Sequence, residues 1–373
     1  MSVEINDRLK LRPSVAVVSN GDVTEFFLSD IRKTIALRMQ QEVAQLLFGL
    51  DGKNSIAEFL EVNGLSGQAE EVLPLLDFLN ANCVLLKMDQ DYDKDYNRYP
   101  RVYSLLENYS QSQGQVNERI KKVQGARVMI IGLGSVGTWV AQSLLMSGVK
   151  HFLLVDADRV ELSNLHRQCG LTEACIGELK TEAFTKHLLE MDSEVQVECI
   201  VDWLDEGFFE RHEVGHVDLI INCADKPTVD ETSYIVGKYA MPLGIPHIVG
   251  GGYNLHQSLV GQVVIPGKTA CLECFRMNLD DLNEIDTSNI RKLENKNRRI
   301  GSFPPLSALS SAITANEAFK VLAGLDNLVM AGQRTEFLLR KLNFANVEMH
   351  RRHDCKWCGY EGDYYQLQRD QDK

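Results

Sequence analysis

Long apolar runs are the first feature that this sequence of 373 residues lacks. No stretch approaches the roughly 18 apolar residues that a membrane-spanning helix needs, so we expect no association with a membrane. The first ten residues carry Glu4, Asp7, Arg8 and Lys10, and they lack the apolar centre of a secretory signal. Because nothing in the sequence directs it elsewhere, we expect a soluble, cytoplasmic protein.

The sequence also has fewer basic than acidic residues, and its cysteines are odd in number. The chain has 39 basic and 52 acidic residues, and its net charge of -13 disfavours binding to a nucleic acid backbone. Nine cysteines are an odd number, which argues against a secreted disulfide framework. With 44% hydrophobic and 24% charged residues the composition is that of a globular protein, and the length indicates two domains or one large domain with additions.

Residues 14–88 have the pattern of a small unit of their own. Two β-rich runs, 14–18 and 23–28, flank Asn20-Gly21, a dipeptide that favours a tight hairpin turn because both positions tolerate positive φ. Apolar residues then recur at helical spacing around 56–60 and 72–79. We predict a hairpin followed by short helices.

This stretch resembles the RiPP recognition element, a winged-helix-like peptide clamp, in residues 41–47, 50–52, 55–60 and 76–86. The resemblance implies that residues 1–88 bind the leader of a ribosomal precursor peptide as an added strand, since a sheet edge offers unpaired N–H and C=O groups. The alternative is a helical appendage for dimerisation or DNA contact, although the acidic charge counts against DNA.

The rest of the chain has an α/β pattern. We interpret 89–122, which begins with a polar, Asp-rich run, as a linker. Beyond it, apolar runs alternate with helical segments such as 136–145; these runs are 127–131, 151–155, 195–201, 219–223 and 247–249, with an antiparallel addition at 258–265. The predicted fold class is therefore α/β: a Rossmann-like, doubly wound and mostly parallel sheet over 123–358, preceded by the peptide-clamp domain and followed by a polar tail at 359–373.

A glycine-rich turn lies between the first strand of this pattern and its helix. Gly132, Gly134 and Gly137 form G-x-G-x-x-G, and Asp156 ends the second strand 19 residues after Gly137. Such glycines let phosphates approach a helix N-terminus, and the acid binds ribose hydroxyls. The turn predicts nucleotide binding, and it leaves a nicotinamide-dependent dehydrogenase and an ATP-using enzyme equally open.

The residues after Asp156 distinguish these two classes. Residues 156–168 resemble the D-x-D-x-V-x-x-x-N-L-x-R-Q signature of the E1-like (ThiF/MoeB) superfamily, whose members adenylate carboxylates. Residues 177–180 resemble its following G-x-x-K, and Asp225 after Cys223-Ala224 resembles its metal-binding aspartate. Extra cations and a Mg²⁺ ligand suit a triphosphate and would be surplus for a hydride carrier.

The resemblance implies a set of site residues. Asp156 would bind the ribose, Asn164 would clamp the phosphates, and Arg167 and Lys180 would act with Mg²⁺ held by Asp225 on the charge that develops at the α-phosphate. The complete sets are, for catalysis, Arg101, Arg167, Lys180 and Asp225, and, for the nucleotide, Gly132, Gly134, Gly137, Asp156, Asp158, Asn164, Arg167, Gln168 and Lys180.

Arg101 enters this set through a second motif. Residues 96–101 resemble the R-Y-x-R segment that precedes the first strand in this superfamily, where the second arginine reaches the neighbouring subunit's site. The resemblance therefore implies a homodimer in which Arg101 acts in trans. An ordinary linker arginine is the alternative.

Two Cys-x-x-Cys pairs stand 80 residues apart: Cys271 with Cys274, and Cys355 with Cys358. Together they predict a four-cysteine zinc site that ties the end of the chain to its core. Four thiolate ligands leave no open position, so we expect the zinc to be structural. A thioredoxin-like redox pair fits worse, because neither pair opens a helix after a strand.

No cysteine lies between Cys274 and Cys355, where many E1-like enzymes have a thioester-forming cysteine. This absence indicates that activation stops at the acyl adenylate or passes directly to another nucleophile.

Three further segments resemble the branch of the superfamily that modifies the precursor peptides of microcin C and pantocin: Tyr253, 264–271 and 303–305. That branch implies leader capture, adenylation of a core-peptide carboxylate and attack by a nearby nitrogen.

Two departures from the signature and one loop complete the prediction. Ser135 stands where the superfamily usually has glycine, and Lys226 stands where an asparagine is frequent; the lysine is a candidate contact for phosphate or peptide. Residues 280–299 form a polar crossover over the substrate, or else a solvated loop. Its candidate contacts to an acidic peptide are Arg291, Lys292, Arg298 and Arg299.

The sequence thus predicts an ATP- and Mg²⁺-dependent enzyme that activates a carboxylate in a ribosomal peptide during antibiotic biosynthesis, with Zn²⁺ in a structural role. Three alternatives remain open. The first is E1-like activation of a sulfur-carrier protein that ends in Gly-Gly. The second is an oxidoreductase that binds NAD(H) and ignores ATP. The third is a zinc-stabilised peptide-binding scaffold without activity.

Overall fold

A computed structural model describes residues 2–39, 41–251, 258–283, 301 and 303–364. The chain divides into two compact units, Met1–Lys121 and Lys122–Lys373. No helix in these described ranges is long and apolar enough to cross a membrane.

In its described residues, 2–39 and 41–121, the first unit contains two small antiparallel sheets and five α-helices. Its strands are β1 (Arg8–Leu11), β2 (Val15–Asn20), β3 (Val23–Leu28), β4 (Lys33–Arg38), β5 (Asp51–Ser55) and β6 (Leu85–Lys87). Its helices are α1 (Gln41–Leu46), α2 (Ile56–Val62), α3 (Ala69–Ala81), α4 (Pro100–Glu107) and α5 (Gln113–Gly125), the last of which contains the boundary between the units. The strand orders are β2-β3-β4 and β5-β1-β6. Helix α4 and most of α5 lie within 89–122, the segment that the sequence suggested as a linker.

The predicted hairpin is confirmed and has a third strand. Asn20 pairs with Val23 across a two-residue turn in which Gly21 has a φ of +64°. On β3, Phe26 and Leu28 are buried in the core of this unit, whereas Glu25 and Phe27 are exposed. This alternation gives the sheet one buried and one solvent-facing side.

A buried arginine joins β1 and β6 to helix α4. The guanidinium of Arg12 is almost fully buried and donates to three carbonyl oxygens, those of Leu85 at 2.9 Å, Ser110 at 2.7 Å and Glu107. Because a buried charge is tolerated only with such partners, Arg12 fixes the end of the helix that carries Arg101.

The second unit contains the large sheet. Its strands are β7 (Arg127–Ile131), β8 (His151–Val155), β9 (Gln196–Ile200), β10 (Leu219–Asn222), β11 (His247–Val249), β12 (Ser258–Leu259), β13 (Gln262–Val264), β14 (Gln333–Leu338) and β15 (Asn343–Glu348). Its helices are α6 (Ser135–Met146), α7 (Lys180–Met191), α8 (Phe208–Arg211), α9 (Val229–Ala240), α10 (Leu272–Asn283) and α11 (Pro304–Leu322).

The large sheet has the order β13-β11-β10-β7-β8-β9, with five parallel strands and an antiparallel β13 at one edge. This confirms the predicted Rossmann-like α/β class. From β7 the chain proceeds to β8 and β9 on one side, and then returns to β10 and β11 on the other. The order therefore reverses between β7 and β10, and ligands of such sheets bind at the carboxyl ends of the strands beside this reversal.

The predicted antiparallel addition at 258–265 divides between two sheets. Gln262–Val264 joins the large sheet as β13, whereas Ser258–Leu259 pairs with β14 in a separate sheet of order β12-β14-β15. Helix α11 packs on α6 through small polar side chains, and the Ser311 hydroxyl donates to the carbonyl oxygen of Val136 at 3.1 Å. Small side chains at this contact let the helices approach closely next to the glycine-rich turn.

Candidate active site

A cavity of about 800 Å³ opens at the carboxyl ends of β7, β8 and β10, where the strand order reverses. All residues that line it belong to the second unit. Of the predicted catalytic and nucleotide-binding sets, the residues that line it are Gly132, Gly134, Asp156, Asp158, Asn164, Arg167, Gln168, Lys180 and Asp225, and the candidate contact Lys226 lines it as well. The structure therefore brings these ten predicted residues, which come from four separate segments of the sequence, to one cavity.

The three glycines have different surroundings. Gly132 has a φ of +91°, and a Cβ there would lie 2.8 Å from the backbone nitrogen of Ala224. A Cβ on Gly137 would lie 2.0 Å from the carbonyl oxygen of Gly132. At Gly134, which lines the cavity just before α6, a Cβ would meet no atom of the described residues within 4 Å. Gly132 and Gly137 thus close the turn, and Gly134 leaves space before the helix N-terminus, where an anion is favoured.

Asp156 directly follows β8 and has a buried carboxylate. Its Oδ2 accepts from the backbone N–H of Leu133 at 2.6 Å, and its Oδ1 accepts from that of Asp158 at 2.7 Å. Burial raises the pKa of Asp156 above its ordinary value, although the nearby Lys180 ammonium and the two backbone donors act in the opposite direction. These bonds fix the carboxylate beside the glycine turn, where it can accept from the hydroxyls of a ribose.

Two lysines converge on Asp158. The buried Lys180, the first residue of α7, has its Nζ 2.8 Å from Asp158 Oδ2 and 3.9 Å from Asp156 Oδ2. Lys226, on the loop after β10, has its Nζ 3.8 Å from the same Asp158 oxygen. The cavity therefore holds two ammonium groups close together, as the binding of a polyphosphate requires.

The turn at 161–168 supplies polar side chains to the cavity. Asn164 is buried, and its Oδ1 accepts from the backbone N–H of Glu161 at 2.9 Å. The guanidinium of Arg167 donates to the carbonyl oxygen of Ser163 at 2.6 Å. Gln168 is also buried, and its Oε1 has no hydrogen-bond partner among the described residues. A buried oxygen of this kind needs a hydrogen-bond donor, which an ordered water or a bound ligand can supply.

The loop after β10 positions Asp225. The Asn222 side chain donates to the hydroxyls of Thr232 at 2.9 Å and Ser233 at 3.0 Å, and its Oδ1 accepts from the backbone N–H of Ala224 at 3.1 Å. Asp225 follows this anchored segment, is exposed and lines the cavity. A carboxylate oxygen that faces an open site fits Mg²⁺, which is bound by one or two carboxylates together with substrate phosphates.

Other predicted residues lie elsewhere. Arg101 is exposed on helix α4 of the first unit, and Gly137 lies in α6 behind the turn. The loop candidates and the resembling tyrosine fall outside the described residues; they are Tyr253, Arg291, Lys292, Arg298 and Arg299.

Two cysteines near the cavity are poor nucleophiles. Burial raises the pKa of Cys169 to about 11 and that of Cys223 to about 12, so both remain thiols at neutral pH. That activation stops at the acyl adenylate or passes directly to another nucleophile stays a prediction, because it depends on the absence of a cysteine between Cys274 and Cys355.

Sequence reasoning missed the wall formed by the loop after β9. Asp202, Trp203 and Leu204 line the cavity there. They belong to no motif, and only the place of β9 next to β8 could have indicated them.

The four predicted cysteines form one buried cluster. Cys271 directly precedes α10 and Cys274 lies in its first turn, so the expectation that neither pair opens a helix was wrong for this pair. The shared cluster of four thiols, and not the local structure, is what favours a metal site over a redox pair.

The four sulfur atoms lie within 4.8 Å of one another, with distances of 3.8 Å between Cys271 and Cys274, 3.6 Å between Cys271 and Cys355, and 3.4 Å between Cys274 and Cys358. A tetrahedral zinc ion with Zn–S bonds of about 2.3 Å separates its sulfur ligands by about 3.8 Å. The donor set therefore fits zinc and can hold a metal with no open position.

Comparison with known proteins identifies a family match and relatives. The model of the ThiF family matches residues 109–358. The adenylyltransferase and sulfurtransferase MOCS3 of Drosophila persimilis is 25% identical over 335 residues, which are 88% of this chain and 67% of that protein. The sulfur carrier protein ThiS adenylyltransferase of Escherichia coli is 27% identical over 271 residues, which are 72% of this chain and 96% of that protein.

Two solved proteins share the fold over nearly the whole chain. The structure of E. coli MccB with ATP has a TM-score of 0.73 and 22% identity, and the match covers 94% of this chain and 99% of that chain. MccB, described as a microcin C7 biosynthetic enzyme, has also been solved in complex with N-formylated MccA. The structure of PaaA has a TM-score of 0.69 and 20% identity, with 91% and 99% of the two chains covered.

Proposed function

Because this chain belongs to the ThiF family and is an ATP-dependent adenylating enzyme, we propose that it activates a carboxylate in a ribosomally made precursor peptide. The activated carboxylate is then captured by a nucleophile, as in the maturation of a peptide antibiotic. ATP supplies the adenylate, and the N-terminal unit binds the leader of the peptide.

The observation that carries this proposal is the N-terminal unit. The family match starts at residue 109, whereas the structural match to MccB extends over 94% of this chain and 99% of that one, so it includes most of the first unit. MccB has been solved with MccA bound. An enzyme that only bound nucleotide would have no evident use for this additional unit.

Sheet β2-β3-β4 offers a place for the leader. The N–H of Met39 donates to the carbonyl oxygen of Asp22 at 2.8 Å, so these two residues form a hydrogen-bonded pair of the antiparallel ladder. Alternation along β4 then directs the backbone groups of Thr34, Ala36 and Arg38 away from β3. An extended peptide can pair with this outward edge and gain main-chain hydrogen bonds.

The chemistry we propose begins with ATP in the cavity. A carboxylate oxygen of the peptide attacks the α-phosphorus, an acyl–oxygen–phosphorus bond forms, and pyrophosphate leaves. Arg167, Lys180 and the helix N-terminus after Gly134 stabilise the charge of the transferring phosphate and the leaving group. Mg²⁺, when bound at Asp225, would neutralise part of the triphosphate charge.

Capture completes the reaction. A nitrogen nucleophile of the peptide attacks the acyl carbon, AMP leaves with the electron pair of the acyl–oxygen bond, and the nitrogen loses a proton. Burial keeps Cys169 and Cys223 in the thiol form at neutral pH, which makes them poor competitors for the activated carboxylate, and we assign the nucleophile to the substrate. Zinc at the four cysteines would act as a structural ion.

A sulfur-carrier protein is the second candidate substrate. The E. coli ThiS adenylyltransferase aligns over 96% of its length with this chain at 27% identity, higher than the 22% of MccB with ATP. In that case the activated carboxylate would be the C-terminal glycine of a folded protein, and the N-terminal unit would have another purpose.

The test offers the protein both substrates. Purified protein with ATP and Mg²⁺ is incubated with a short peptide encoded beside its gene, or with a carrier protein that ends in Gly-Gly, and mass spectrometry follows the products. We expect pyrophosphate release together with AMP addition to the peptide or loss of water from it. Adenylation of the carrier alone would favour the second candidate and reject the first.

A further inference from the structure

Two side chains from distant strands meet over the cavity. Trp203 follows β9 and Lys226 follows β10, and strands β8 and β7 lie between them in the sheet. Three strand spacings of about 4.8 Å separate the parent strands by about 14 Å. The Nζ of Lys226 nevertheless lies 4.8 Å from the centre of the Trp203 ring. The two loops therefore bridge the carboxyl ends of β7 and β8, where the nucleotide site is.

The lysine is free to exchange its present contacts. Its side chain is 65% exposed, and its ammonium lies 3.8 Å from Asp158 Oδ2 in addition to the indole. An exposed cation–π contact and a long exposed ion pair are both weak. A phosphate oxygen would therefore replace them readily.

The tryptophan is held more firmly by its own loop. Asp202 accepts from the backbone N–H of Trp203 at 2.8 Å, from the guanidinium of Arg211 at 2.9 Å and from the ring of His212 at 2.8 Å. These bonds lower the pKa of Asp202 to about 2, so the carboxylate keeps its charge at neutral pH. Trp203 is 47% exposed, and it lines the cavity.

We propose that Trp203 and Lys226 form a clasp over bound ATP, in which the Lys226 ammonium binds the polyphosphate and the Trp203 indole covers the nucleotide. A phosphate is favoured over a substrate carboxylate because Lys226 shares Asp158 with Lys180 and follows Asp225. The inference depends on ATP binding and holds for either acyl substrate.

Intrinsic fluorescence tests the tryptophan. The chain has three tryptophans, of which Trp357 is buried in the cysteine cluster. A non-hydrolysable ATP analogue should change the emission of the wild-type protein, and most of that change should be lost in Trp203→Phe. If Trp203→Phe bound the analogue with unaltered affinity and kept the full change in emission, Trp203 would not cover the nucleotide.

Calorimetry without any acyl substrate tests the lysine. We expect Lys226→Met to weaken the ATP analogue about tenfold or more, to weaken ADP less and to leave adenosine unchanged, because only the phosphates contact the ammonium. Lys226→Arg should restore most of the loss, and Lys238→Met, which removes an exposed lysine of α9 paired with Glu206, should have no effect. Unchanged affinity for all three ligands, with a raised KM for the acyl substrate, would reject the proposal.

Discussion

At the scale of single residues, the glycines of the turn before α6 differ in whether a substitution should affect nucleotide binding or stability. Gly134→Ala should lower the affinity for an ATP analogue about tenfold or more, since its methyl group enters the space left for phosphate. It should change the free energy of unfolding by at most about 1 kcal/mol, because Gly134 has an ordinary φ of −79° and its Cβ position is open. Calorimetry and urea unfolding of the nucleotide-free protein measure the two effects.

Gly137→Ala is the matched control. Its Cβ would lie 2.0 Å from the carbonyl oxygen of Gly132, so this variant should lose about 1–3 kcal/mol of stability through overpacking. If both variants lost stability equally, the assignment of Gly134 to phosphate approach would be wrong.

If Asp225 binds Mg²⁺, substituting it should weaken Mg²⁺ binding and slow adenylation. Asp225→Asn should slow ATP–pyrophosphate exchange about 100-fold and raise the Mg²⁺ concentration needed for half-maximal rate, because an amide oxygen carries no charge. Asp230→Asn, at an exposed position near the start of α9, should behave as the wild-type protein does. Exchange at an unaltered rate in Asp225→Asn would remove the metal from this residue.

What the sequence could predict at this scale depended on ordered motifs. The D-x-D and N-L-x-R-Q positions were identified because several polar residues occur in one fixed spacing, and they line one cavity. Trp203 was missed because a single aromatic residue in a polar loop has no periodic or spacing signal. Its relation to Lys226 depends on strand order, which only the folded chain provides.

At the scale of elements, most strands of the parallel sheet could be predicted from the sequence because both of their faces are buried. The runs 127–131, 151–155 and 247–249 are β7, β8 and β11 without any shift of boundary, because parallel strands under helices are continuously apolar. Strand β15 was not anticipated, since none of its six residues is buried and no alternation marks it. Its pairing with β14 comes from the hairpin geometry of the folded chain.

The outward edge of β4 is the element on which leader binding should depend. Ala36→Pro removes one outward N–H and leaves the ladder to β3 intact, so binding of a fluorescently labelled leader should weaken about tenfold or more while the thermal transition moves little. Ala36→Ser keeps the N–H and should bind normally. Equal binding by both variants, measured by anisotropy, would place the leader elsewhere.

The cysteine cluster should determine the stability of the second unit and leave its chemistry unchanged. Cys355→Ser should lose the bound zinc and lower the melting temperature by roughly 5 °C or more, because four ligands hold the segment 355–358 to the start of α10. Cys199→Ser, at an exposed free cysteine, should keep both metal and stability. Elemental analysis and calorimetric scans measure the two properties.

A catalytic role for the metal would give a different pattern. Well below its melting temperature, folded Cys355→Ser should retain most of its ATP–pyrophosphate exchange, since the cluster has no open coordination position. Complete loss of exchange in a folded, zinc-free variant would contradict the structural assignment.

At the scale of the whole molecule, the predicted role of Arg101 concerns whether one chain or two form each active site. Arg101 is exposed on α4, whose end is fixed by Arg12, whereas every residue that lines the cavity belongs to the second unit. The sequence could imply a contribution from a second copy only through its resemblance to a family. The dimer therefore remains a prediction, and mixing two inactive variants tests it.

Arg101→Ala and Asp225→Ala should each be inactive alone for different reasons: the first supplies no arginine to its partner, and the second binds no Mg²⁺ in its own site. After subunit exchange at equal concentrations, half of the dimers contain one chain of each kind, and in these the Arg101→Ala chain receives an intact arginine from its partner. One of two sites then works, so ATP–pyrophosphate exchange should recover to about a quarter of the wild-type rate. If Arg101 acted within its own chain, mixing would restore nothing, because every site would still lack one of the two groups.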